Sequence, residues 1–117
     1  MNYEGLAKIA EAEFADVVLG WKIEGGKLRL FITDDSFGDI WFSQRLEGRF
    51  AYHWERRAID GKIYRLDNRP HEELKGMGGF PRHFHNGNDK EVRESEFSEE
   101  PQEALRQFLR FVREKVR

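Results

Sequence analysis

The chain has 117 residues, a formal charge of −2, 38% apolar and 36% charged residues and no cysteine. That length builds one core, read here as a single domain over 1–117. Three Trp, three Tyr and ten Phe give it apolar area, and disorder is expected only in the charged stretch near 87–101. Disulfides and thiolate metal sites are excluded. No run approaches the ~20 apolar residues of a membrane helix, and the start lacks a signal peptide's apolar segment, so the expected location is the cytoplasm.

A helix is expected at about Tyr3–Phe14, with Asn2 as N-cap and Leu6, Ile9, Ala10 and Phe14 on one face. The period then changes to two. Leu19 to Glu24, the pair Gly25-Gly26 and Lys27 to Thr33 read as a hairpin that sets Ile23 against Leu28, Trp21 against Leu30 and Leu19 against Ile32. A loop at Asp34-Asp35-Ser36 would set Leu30 against Ile40 and Leu28 against Phe42. The next strand, about Arg49–Arg57, alternates Phe50, Tyr52 and Trp54 with Ala51, His53 and Glu55. A three-residue turn Ile59-Asp60-Gly61 would pair Trp54 with Leu66, and His53 with Asp67. A two-residue Asp-Gly loop would instead turn aromatic side chains to water. The chain closes with a helix at about Pro101–Val116, capped by Ser98 and striped by Leu105, Phe108, Leu109, Val112 and Val116.

The expected fold class is therefore α+β. It has an antiparallel meander β-sheet of five or more strands, with an N-terminal and a C-terminal helix packed on one face. That face carries Trp21, Ile23, Leu28, Leu30, Ile32, Ile40, Phe42, Phe50, Tyr52, Trp54 and Leu66. The other carries Arg29, Phe31, Asp39, Trp41, His53, Glu55, Arg65 and Asp67.

Charge is segregated along the chain. Residues 42–85 hold nine Lys/Arg, six Asp/Glu and all four histidines, which points to a local anion site rather than a wholly basic surface. Two stretches stand out there: Tyr64-Arg65-Leu66-Asp67-Asn68-Arg69-Pro70-His71 and Phe80-Pro81-Arg82-His83-Phe84-His85. In an extended segment His83 and His85 point the same way, with Cα atoms roughly 7 Å apart. With Phe84 inward, both join His53, Arg65 and Asp67 on the second face. Gly76, Gly78 and Gly79 suit the connecting loop to close approach of a ligand.

These two segments, with Tyr52-His53-Trp54 upstream, resemble the TumE toxin family of prokaryotic toxin–antitoxin pairs. The family shows Tyr-Arg-x-Asp-Asn-x-Pro-His followed by Phe-Pro-x-His-x-His. It carries small residues where Arg69 stands and often His where Arg82 stands, so positions 69 and 82 depart from it. The resemblance implies a small growth-inhibiting toxin with a cognate antitoxin as partner. RNA cleavage enters by analogy with other small α+β toxins.

RNA cleavage without metal needs a base for the 2′-OH, an acid for the 5′-oxygen and a cation for the phosphorane. Histidine near its ordinary pKa of about 6.5 serves either proton role. Arg65 binds phosphate bidentately, and Asp67 orients His53. The expected catalytic set is His53, Arg65, Asp67, His83 and His85. Trp41 or Phe31 can stack a base, and Trp41, Tyr64, His71 and Arg82 are the expected nucleic-acid contacts. Asn68 and Pro70 shape a turn. RNA is the second expected partner, a homodimer stays open, and no membrane and no cofactor are expected.

Two other readings remain. One is a non-catalytic RNA- or nucleotide-binding module on the same face. The other is a metal-dependent phosphoesterase, in which His83-x-His85 with Asp67 and His71 or His53 makes an N/O site for zinc or another transition metal.

Overall fold

The computed structural model describes residues 1–70, 76, 80–88 and 90–116. Helix α1 (Tyr3–Glu13) leads into seven strands, β1 (Val18–Glu24), β2 (Lys27–Ile32), β3 (Phe37–Phe42), β4 (Phe50–Arg56), β5 (Lys62–Asp67), β6 (His83–Gly87) and β7 (Val92–Glu94). A helical turn α2 (Arg57–Asp60) separates β4 from β5, and α3 (Pro101–Val116) closes the chain. The strands form one antiparallel sheet whose spatial order is their order in the chain. This is the expected α+β meander with both helices on one face. Strand β7 lies inside the charged stretch where disorder was expected.

The core lies between the sheet and the helices. Leu6, Ala7 and Ala10 of α1, Phe14 at its C-cap, and Leu105, Phe108, Leu109 and Val112 of α3 bury against Leu28, Leu30, Ile32, Ile40, Tyr52, Trp54 and Leu66. Asn2 caps α1 by accepting the Gly5 amide at 2.9 Å. Ser98 does not cap α3. Its hydroxyl accepts the Glu100 amide, and the Glu100 carboxylate takes the amides of Gln102 and Glu103 at 3.1 and 2.7 Å. A carboxylate is better placed than a hydroxyl against the positive end of the helix.

Three strand pairings differ from the expected ones. In β1 a bulge between Val18 and Gly20 puts Val18, not Leu19, against Ile32, and Leu19 turns out to 70% exposure. Ile23, near the tip of this edge hairpin, is also exposed. Between β2 and β3 the register sets Leu30 against Gly38 and Leu28 against Ile40. Here Asp35 takes a left-handed φ of 71°, and the Asp34 carboxylate accepts from the Ser36 amide at 3.1 Å. This seats the buried Ser36 hydroxyl to accept the Trp54 indole N–H at 2.7 Å. A buried indole N–H needs such a partner, and that requirement decides the register. Gly38 then leaves space for Phe108, whose ring lies 3.5 Å from where a Cβ would stand.

Between β4 and β5 the connection is the turn α2 followed by Gly61 at φ 77°, rather than three residues. Trp54 therefore faces Tyr64, and His53 faces Arg65 instead of Asp67. Both pairing errors are shifts of two residues, so each side chain keeps the face assigned to it.

Candidate functional site

The face of the sheet away from the helices is organised in rows running across the strands. One row reads Arg29, Asp39, His53, Arg65, His85 and Val92 from β2 to β7. The next reads Lys27, Trp41, Ala51, Asp67, His83 and Glu94. Antiparallel pairing places neighbours in a row within about 5 Å at Cβ, so each charge is set by the strands beside it. Ala51, the small residue opposite Asp67, leaves room for the carboxylate and what gathers on it.

His53 stands at the centre of the first row, half-buried. Arg65 donates from a guanidinium N–H to His53 Nδ1 at 3.3 Å, and His53 Nε2 lies 3.2 Å from Glu55 Oε1. The arrangement selects the tautomer: Nδ1 accepts, and Nε2 carries the proton donated to Glu55. Burial lowers the His53 pKa below its ordinary value and Arg65 lowers it further, against the raising effect of the Glu55 hydrogen bond. Glu55 is held at about 2 by hydrogen bonds from Arg57, so it stays ionised. Burial would raise the Asp39 carboxyl, but Arg29 and Lys27 hold it below its ordinary value.

Beside this row is a cluster around Asp67. Arg65 Nε donates to Asp67 Oδ2 at 2.8 Å, and the Arg69 amide donates to Oδ1 at 3.1 Å. His83 Nε2 lies 2.9 Å from Oδ1, and His85 Nε2 lies 3.7 Å from Oδ2. Asp67, His83 and His85 are all buried, His83 almost completely. The two imidazole rings meet edge to face with centroids 4.9 Å apart. One ligand atom from each of the three residues lies within 4.8 Å of the other two, a spacing from which they could hold a metal ion.

A groove runs over both features. Its two halves have volumes of about 420 and 310 Å³ and share His53, Arg57 and Arg65. Asp67, Arg69 and His85 line one end, and Lys27, Asp39 and Trp41 the other. A larger cavity of about 710 Å³ lies elsewhere, lined by Phe42, Arg45, Arg49, Phe50, Phe80 and Arg82 among others. Among the described residues it holds no histidine, and the smaller groove is where acid–base groups and cations coincide.

The structure thus brings together His53, Arg65, Asp67, His83 and His85, with Trp41 on the groove wall. It does not bring Tyr64 or Arg82 there. Tyr64 is on the core face, packed against Trp54, Phe84 and Phe111, because the strand alternation that turns Arg65 outward turns Tyr64 inward. Arg82 donates to the Phe97 carbonyl and pairs with Glu99 beside the larger cavity. His71, Gly78 and Gly79 lie outside the described residues. Asn68 serves the turn, accepting the Phe50 amide at 2.9 Å and donating to the Gly48 carbonyl at 2.6 Å. Sequence reasoning missed Arg57 and Lys27 as groove residues. The alternation places Lys27 on the face of Arg29, whereas Arg57 enters only through the unforeseen turn α2.

The groove thus gathers histidines, arginines and the Asp67 carboxylate on one face of the sheet. A family model described as Toxin TumE matches residues 8–116, nearly the whole chain. The chain belongs to the TumE toxin family and is the toxin component of a toxin–antitoxin system, with an antitoxin as its partner. Neither a curated protein nor a solved structure matches it. Among the described residues no helix is long and apolar enough to cross a membrane.

Proposed function

We propose that this toxin is an endoribonuclease of the cytoplasm whose active groove is centred on His53. The observation that carries the reading is the fixed tautomer of His53 between an ionised Glu55 and Arg65, inside a groove lined by Arg57, Arg65 and Arg69. Arginine forks match the phosphodiester in charge and geometry. When Arg65 turns from His53 to a phosphate oxygen, Nδ1 is released as a lone pair beside the bound phosphate, while Glu55 keeps Nε2–H in place. His53 then takes the proton of the 2′-OH, the 2′-oxygen bonds to phosphorus, and the P–O5′ bond breaks. The departing 5′-oxygen takes up a proton at the cluster of Asp67, His83 and His85. Trp41, exposed on the groove wall, offers a ring for a flanking base.

The test is purified toxin acting on single-stranded RNA. Parent protein should cut it, and His53→Ala should cut 10²–10⁴-fold more slowly with an unchanged melting temperature, the range for one lost proton-transfer group. RNA bound but left intact by the parent would replace this reading with the non-catalytic binding module.

A further inference from the structure

The hydrogen bonding of His83 poses a problem of proton count. Its Nδ1 lies 2.9 Å from the Pro81 carbonyl, which only accepts, so Nδ1 carries a proton. In the neutral ring Nε2 is then a lone pair, yet it lies 2.9 Å from the Asp67 carboxylate, also an acceptor. Two acceptors at that distance in a buried site require a cation. A proton on Nε2 would serve this one pair. His85 Nε2 converges on the other oxygen of the same carboxylate, and a cation with several coordination positions serves all three groups at once.

We propose that Asp67, His83 and His85 bind a divalent transition-metal ion of the zinc type through two imidazole nitrogens and one carboxylate oxygen. The donor set fits such ions and does not fit magnesium or calcium, which take oxygen. The spacing fits as well. Tetrahedral ligands at about 2.1 Å from an ion stand about 3.4 Å apart, and the atoms here, all within 4.8 Å of one another, bracket that separation. The surroundings are those of a metal site: His83 is oriented by the Pro81 carbonyl, and Asp67 is braced by Arg65 and the Arg69 amide. Among the described residues these three are the ligands, and a four-coordinate ion keeps a further position for water or the bound chain. Asp67 and His85 line the groove, so that position faces the bound chain. The ion's use in cleavage rests on the nuclease reading, and its binding does not. In cleavage, water on the ion supplies the proton for the 5′-oxygen, in place of a histidine.

The test begins with the full chain stripped by chelator and titrated with Zn²⁺ by calorimetry, with Co²⁺ as a spectroscopic probe. One equivalent of Zn²⁺ should bind, the melting temperature should rise, and Co²⁺ should give visible bands of low coordination number. Asp67→Asn and His85→Ala should each weaken binding at least 10-fold, while Mg²⁺ should not compete. Nitrogen NMR of His83 in the parent protein needs no variant to fold: Nε2 should lack a proton and shift on adding Zn²⁺. An Nε2 that stays protonated, no stoichiometric Zn²⁺, or Zn²⁺ bound equally by both variants overturns the site. Zn²⁺ bound without RNA cleavage leaves the ion site and removes the nuclease. Full cleavage in chelator, with no Zn²⁺ bound, does the reverse.

Discussion

Strand β4 sends Trp54 to one side of the sheet and His53 to the other, and the two neighbours are held in different ways. Trp54 is wholly buried among Tyr64, Phe111 and Leu66, with ring centroids 5.3 and 6.2 Å away. Apart from its indole N–H, its contacts have little direction, and any apolar neighbour of the right size would serve. His53 is half-buried, and each ring nitrogen has one partner whose charge and position decide its tautomer. Apart from the Trp54 indole and its Ser36 partner, the apolar face asks only that side chains be on the right side. The polar face asks that they be opposite the right residue.

That difference explains what could be read from the sequence. The alternation in β2 to β5 marked the core face, and both helices followed from the 3.6-residue spacing and the Asn2 cap. The Phe84 alternation correctly sent His83 and His85 to the face of His53. A two-residue slip at each of two turns left all of this intact. It did change the partners, giving His53 to Arg65 where Asp67 was expected, and leaving Asp67 to His83. The slips came from requirements that no local pattern announces: a hydroxyl for the Trp54 indole and a helical turn between β4 and β5. Tyr64 was placed at the site by motif alone, and the same alternation that located Arg65 removes it.

The contrast can be broken from the core side first. Leu30→Ala should lower stability by about 2–5 kcal/mol in urea unfolding, whereas Phe31→Ala, its exposed neighbour on the other face, should cost less than about 1 kcal/mol. Equal costs would abolish the distinction between the faces. On the polar side, Arg65→Ala should keep the fold but lose about 10-fold or more in RNA affinity, since hydrogen bonds to charged groups are worth about 1.5–3 kcal/mol. The slope of log affinity against log salt should become shallower by about 0.7. Parent-like affinity in this variant would remove the anion groove.

Acidity provides a subtler test. The folded state holds His53 below its ordinary pKa, mainly through burial, so the unfolded chain binds the proton more readily. The stability this gives is complete above about pH 6.5 and declines as pH falls through the lowered value. Glu55, held at about 2, adds a second decline between its ordinary 4.5 and about 2. Melting temperatures across this range should fall in two stages, and His53→Gln should erase the upper one. The smallest effect belongs to the ion pair that ties α3 to the turn after α1. Arg113 donates to Asp16 at 2.7 Å between exposed side chains, and Asp16→Asn should change stability by no more than about 1 kcal/mol, less at high salt.

The order of the strands also has a consequence for how the toxin is made. Because each strand pairs with the one before it, a chain emerging from the ribosome can add the sheet hairpin by hairpin, through contacts that are short in sequence. The apolar side of that growing sheet stays largely bare until α3 is synthesised, and Glu13 waits for Arg106, 93 residues downstream. His83 and His85 also arrive late, on β6. An incomplete chain thus has the arginines of the groove but neither the finished core nor the paired histidines. Competence comes with the last third of synthesis, and it comes to the core and the site together.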